Sequence, residues 1–108
     1  MEGNKNGYIV VLCTVPKGKG EELARILVER KVAACINLIK GLRSIYWWKG
    51  KIEEDDEELL IIKTSKKMYG DLERLIKENH PYTVPEIIAL PIISGNPDYL
   101  AWIDESLS

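Results

Sequence analysis

The chain has 108 residues and a formal charge of −2, from 17 acidic and 15 basic side chains. That length makes one domain able to bury roughly two-thirds of its unfolded surface. Mild acidity exerts no general pull on nucleic acid or anionic lipid, and no apolar run reaches the ~18 residues of a membrane span, so neither partner is expected. Charged residues make up 30% and glutamine is absent, a balance that suits ion-pair networks at high temperature as well as ordinary surface variation.

Residues 1–7 are polar, contain two glycines and lack the apolar stretch of a secretory signal. They read as a loose, flexible leader to a single domain over 8–108, with the cytoplasm as the expected location. Cys13 and Cys35 stand far apart with no CxxC spacing, which favours buried thiols over a disulfide in that compartment.

The run from Tyr8 to Thr14, ending at Pro16, is continuously apolar and β-branched, as expected of a strand buried on both faces. From Gly20 to Lys31 the period changes to that of a helix. Leu23, Ala24, Leu27 and Val28 form its apolar face with Ile26 at the margin, and Glu21 pairs with Arg25 one turn on. Residues 33–48 are extended, with a bend expected at Gly41. Lys49-Gly50 supplies a hairpin turn, and the return strand covers Lys51 to Thr64. Ser65 is placed to cap a helix carrying Met68, Leu72, Leu75 and Ile76, which Asn79 and Pro81 end. Residues 86–93 form a further strand that Pro91 assigns to an edge or bulge. Asn96-Pro97-Asp98 starts a last helix, burying Tyr99 or Leu100 with Ile103 and Leu107.

The order β-α-β-β-α-β plus a C-terminal helix is the α+β, ferredoxin-like split βαβ plan, with strands one and three central and strands two and four at the edges. Sixteen residues from Ala33 to Trp48 at ~3.3 Å each span about 50 Å, against a radius of gyration of ~13 Å for a domain of this size. The hairpin therefore overhangs its own core and carries Tyr46, Trp47 and Trp48 at its tip, a surface suited to self-association. The acidic run 53–58 invites a metal reading. Strand alternation allows at most half of it to converge on one ion, so it is expected to be solvated and to blunt edge pairing.

Four segments go beyond a generic α/β chain: Cys13-Thr-Val-Pro16, Ala33-Ala-Cys-Ile-Asn37, Tyr46-Trp-Trp-Lys-Gly-Lys51 and His80-Pro-Tyr-Thr-Val-Pro-Glu86. With Ile62-Lys-Thr64 and Tyr99-Leu-Ala-Trp102 they closely resemble the CutA family of divalent-cation tolerance proteins, over about residues 8 to 107. The resemblance implies a homotrimer, similar in architecture to the PII signalling proteins, with hairpins and edge strands interlocked and Tyr46, Trp47 and Trp48 in the trimer interface. It implies a link to copper or another divalent metal ion, with Cys13 and His80 as ligands, a pair whose thiolate and imidazole suit copper. Some relatives have a second histidine where this chain has Asn79. The matched Lys63, Tyr82 and Glu86 are candidates for a cleft between subunits that takes a small ligand or anion, as in PII-like trimers. A structural ion pair and interface hydrogen bonds are the other reading of these three.

Competing classes fare worse. An RRM needs stacking aromatics on its first and third strands, where residues 9–12 and 59–62 are aliphatic. The loop Val15-Pro-Lys-Gly-Lys-Gly20 precedes a helix and is positioned to hold phosphate, yet has no arginine and no Walker pattern. No Ser/His/Asp set is present, so no enzyme and no organic cofactor are expected.

Overall fold

In a computed structural model, which describes residues 7–108, Tyr8–Pro16 forms β1. Its side chains alternate: Ile9, Val11, Cys13 and Val15 are buried and the residues between them are half-buried. Burial on both faces is therefore only partial. A helix layer covers one face, and the other is open along much of its length.

Helix α1 (Gly20–Glu29) and helix α2 (Tyr69–Asn79) form that layer. Leu23 and Leu27 of α1, with Leu72, Leu75 and Ile76 of α2, close over Val11, Cys13, Leu60 and Ile62 in one hydrophobic core. Burying a leucine or isoleucine fully contributes roughly 1.5–3 kcal/mol, so this cluster is the main source of stability. Ile26 packs against the core while Val28 is 41% exposed, which turns the apolar stripe of α1 slightly from the expected one. Ser65 makes no capping bond. Among the described residues its hydroxyl is buried without a partner, and a short 3-10 turn, Lys66–Met68, leads into α2 instead.

Strand β2 (Cys35–Trp48) and strand β3 (Lys51–Ser65) make the hairpin, and β4 spans Ile87–Pro91. The sheet is antiparallel in the order β2-β3-β1-β4, so the two most apolar strands are central, as expected. Lys49 and Gly50 turn the hairpin with φ of 51° and 80°. Positive φ at both central residues matches the twist of the flanking strands, and the glycine adopts it without steric cost.

One irregularity sets the geometry of the arm. Ile39 faces Leu59 and Leu42 faces Glu57, so β2 takes three steps where β3 takes two. Gly41, at φ 83°, allows this bulge. The extra residue reverses the alternation. Ile36 and Leu38 point to the helix layer, but Leu42, Ser44, Tyr46 and Trp48 point to the opposite face. Beyond the bulge the arm leaves the body of the molecule, whose extents are 45 × 27 × 23 Å and whose radius of gyration is 14.6 Å.

Helix α3 (Pro97–Leu107) crosses to the face opposite α1 and α2. Asn96 Oδ1 accepts a hydrogen bond from the Asp98 amide, forming the expected cap. Tyr8 donates to Asp104, Tyr99 lies beside Cys35, and Ile103 is fully buried apart from the main core. Leu100, rather than Tyr99, turns inward with Ile103 and Leu107. The leader assignment for residues 1–7 falls, except for Gly7, outside the described residues.

Candidate functional site: a carboxylate and aromatic groove beside a buried Cys-Thr-His contact

The acidic run on β3 is distributed rather than uniformly solvated. Glu54 and Asp56 share Arg43 across the hairpin at 2.9 and 3.0 Å, and Asp55 accepts from the Tyr46 hydroxyl. Glu57 and Glu58, by contrast, are each only 4% exposed. Glu58 accepts hydrogen bonds from the backbone amides of Gly18 and Gly20, both at 2.9 Å. Those amides are the start of α1, where an external phosphate would bind. The protein's own carboxylate already fills that position.

At the far end of β1, His80 follows α2 and is 8% exposed. Its Nδ1 accepts from the Tyr82 amide at 3.1 Å, and its Nε2 lies 2.8 Å from the Thr14 carbonyl. A backbone N–H only donates, so Nδ1 is the acceptor and Nε2 carries the proton that it gives to Thr14. The Cys13 thiol meets the same carbonyl at 3.8 Å. Cys13 and His80 are therefore neighbours through one oxygen atom. Burial, reinforced by the charges of Glu86 and Glu57, pushes the Cys13 thiol up to about 12. Among the described residues no third His, Cys, Asp or Glu joins them in a metal-ligating group.

Tyr82 extends this contact outward. Its ring lies 4.9 Å from that of His80, and its hydroxyl donates to Glu57 Oε2 at 2.7 Å. Burial and then the Glu57 carboxylate raise its pKa. An open groove of about 730 Å³ lies here between hairpin residues 44–48 and loop residues 81–84, with Thr14, Glu57 and Glu86 completing its lining. Tyr46, half-buried, has its hydroxyl pushed up to about 12, first by its bond to Asp55. Trp47 is 72% exposed and Trp48 is 41% exposed, with the Lys49 ammonium 5.7 Å from the Trp48 ring centroid.

Tyr82 and Glu86 thus share one groove with all three hairpin aromatics. Lys63 does not join them within one chain. It pairs with Val10 and Cys35 and donates to Asn37, six residues along β3 from Glu57, a separation of about 20 Å. Thr14 and Glu57 belong to the site and were not singled out by the sequence. Strand parity carried the signal for Glu57, which lies on the same face as Leu59, Ile61 and Thr14.

The family model described as CutA1 divalent ion tolerance protein matches residues 9–106. The chain belongs to the CutA1 divalent ion tolerance family. It is 49% identical over 98 residues to the divalent-cation tolerance protein CutA of Thermus thermophilus, covering 90% of this chain and 95% of the relative. It is 50% identical over 99 residues to protein CutA 1, chloroplastic, of Oryza sativa, covering 91% of this chain but 56% of that longer relative. The crystal structure of CutA1 from Oryza sativa superposes with a TM-score of 0.92 at 47% identity, covering 95% of each chain. The CutA1 match reaches into every strand and helix described above. Among the described residues no helix is long and apolar enough to cross a membrane.

Proposed function

We propose that this divalent-cation tolerance protein acts as a non-enzymatic cytoplasmic homotrimer that binds copper weakly through Cys13 and His80. The observation that supports the metal reading is the Thr14 carbonyl, which both the Cys13 thiol and the His80 ring contact. Thiolate and imidazole are suitable donors for copper. Binding would be weak for two reasons. The thiol must lose a proton held up to about 12, and the ring must release Thr14 or Tyr82 to free a nitrogen. A second subunit would supply the remaining ligands. The only histidine is engaged at both nitrogens, which supports a role without acid–base catalysis. The two free thiols accord with a reducing compartment.

The trimer reading is supported by the overhanging arm, with Ile45, Trp47 and Ile52 at 66%, 72% and 60% exposure. Light scattering should give three times the 12.3 kDa chain mass, and a monomer would refute it. Calorimetry with Cu(II) and Zn(II) on the wild type and His80→Ala tests the metal site. Equal heats from the two proteins would remove His80 from it.

A second reading, a PII-like trimer that binds a small ligand between subunits, is favoured by the groove at Tyr82 and Glu86. In it Lys63 would come from another subunit. A melting temperature raised by metabolite, without any heat from metal, would select this reading.

A further inference from the structure

A neutral imidazole carries one N–H and one lone pair, and the lone pair of His80 is already in use. Nδ1 accepts from the Tyr82 amide at 3.1 Å, and Nε2 donates to the Thr14 carbonyl at 2.8 Å. If Nδ1 ligates a metal, the Tyr82 amide is displaced directly while Thr14 still orients the ring. If Nε2 ligates, the ring proton moves to Nδ1, which then meets the Tyr82 N–H as donor against donor. In both cases the Cys13 proton goes to solvent as its thiolate ligates. Ligation through either ring nitrogen therefore breaks the same contact, the Tyr82 amide bond. The segment held by that bond is lightly attached. Pro81 and Pro85, which have no N–H, bracket Tyr82, Thr83 and Val84. Among the described residues, 81–84 are tied to the rest of the chain by two hydrogen bonds, from the Tyr82 amide to His80 and from the Tyr82 hydroxyl to Glu57 at 2.7 Å. Pro81, Thr83 and Val84 are exposed, and only Tyr82 is half-buried. Both bonds lie within one chain, so the coupling needs no open surface.

We propose that ligation of His80 releases the 81–84 loop, with the Tyr82 amide as the group displaced and the Glu57 carboxylate as the remaining tether. The proposal rests on the reading of Cys13 and His80 as a metal site, whose thiolate and imidazole suit copper. It adds how the protein registers that the site is occupied. Glu57 is 4% exposed and faces Leu42, the first paired residue beyond the bulge at Gly41. The freed loop thus stays fastened to the strand position where the arm begins. Metal occupancy is read out there as a locally loosened chain.

The test follows the full-length, isotope-labelled protein by NMR as Cu(I), kept under nitrogen, or Zn(II) is added; both ions are diamagnetic. The His80 ring nitrogens report ligation, and the Tyr82 amide proton reports its hydrogen bond. With at least one metal the ring nitrogens should shift saturably. In step with them the Tyr82 amide proton should move upfield and exchange with solvent about tenfold faster or more, as expected for a lost hydrogen bond. The Ala34 amide, bonded to the Lys63 carbonyl at 2.9 Å, serves as the unchanged reference. Ring nitrogens that shift while the Tyr82 amide does not overturn the release and leave the metal reading standing. A ring untouched by both metals overturns both. His80→Ala should show no metal-dependent change at Tyr82; the same change there would place its cause at another site and overturn the proposal. The first two outcomes are read on the wild type alone and hold even where His80→Ala fails to fold.

Discussion

Glu58 Oε1 accepts the backbone hydrogen bond of Gly20 at 2.9 Å, joining strand β3 to the first residue of α1 across 38 positions of sequence. Its other oxygen takes the Gly18 amide. One buried carboxylate thus satisfies two otherwise unpaired donors and complements the positive end of the helix dipole.

Glu58→Ala should therefore destabilise the chain by roughly 2–4 kcal/mol, because it removes charge-assisted bonds and strands buried amides. Glu58→Gln keeps a single oxygen acceptor and should lose about half of that. Urea denaturation of the three proteins measures both. A loss below about 0.5 kcal/mol for the alanine variant would mean that water substitutes freely at this helix start.

Gly20 and Gly70 should respond to alanine with opposite signs. A Cβ on Gly20 would lie 2.5 Å from Leu38 Cδ1 and 2.6 Å from Glu58 Oε1, displacing the carboxylate just described. The expected cost is about 1–3 kcal/mol. Gly70 opens the first turn of α2 with nothing within 4 Å of an added Cβ. Alanine there should add up to about 1 kcal/mol through helix propensity and reduced unfolded-state entropy. Paired melting curves check the signs.

All five tyrosines have pKa values raised above 10.0: Tyr8 and Tyr46 chiefly by hydrogen bonds to Asp104 and Asp55, the others chiefly by burial. Below pH 10 native and unfolded chains are both protonated, so the stabilisation is fully present. As pH rises from 10 through the native values, the unfolded chain releases protons first and stability falls. Absorbance at ~295 nm, where tyrosinate absorbs, should therefore show tyrosinate appearing later in the native protein than in urea. Coincident titration curves would contradict the bonds to Asp104, Asp55 and Glu57.

The fold was largely legible because its signals are local. Apolar continuity marked residues 8–14, the 3.6-residue period marked Leu72, Leu75 and Ile76, and Lys49-Gly50 marked the turn. The site was less so because its residues meet only through the sheet. Six consecutive acids read as one solvated block, yet Glu58 shares strand parity with Leu60 and Ile62 and is drawn to the helix face. Glu57, on the other face, needs Tyr82 from a loop 25 residues away. Ser65 resembled a cap by type, but the chain enters a 3-10 turn in which its side chain makes no capping bond. Cys13 and His80 were paired by the family resemblance alone, and only the fold shows that both contact the Thr14 carbonyl.

The exposed side of the arm gives an assembly test. Trp47 faces Ile52 across the hairpin, and both are largely in solvent. Trp47→Glu should leave the secondary structure intact, since the side chain is not in the core, while lowering the mass seen by light scattering below that of a trimer. A wild-type mass for this variant would show that Trp47 contributes little to self-association.

The bulge at Gly41 acts as a phase shifter between two parts of one strand. Upstream, even-numbered residues serve the domain's own core; downstream, even-numbered residues serve the groove. Deleting a single residue there would leave the composition almost unchanged, yet it would exchange the arm's two faces. Ile45 and Trp47 would move to the groove side, and Tyr46 and Trp48 to the other. Length at this one point, as much as the identity of any aromatic, is therefore what selection on this chain has to hold constant.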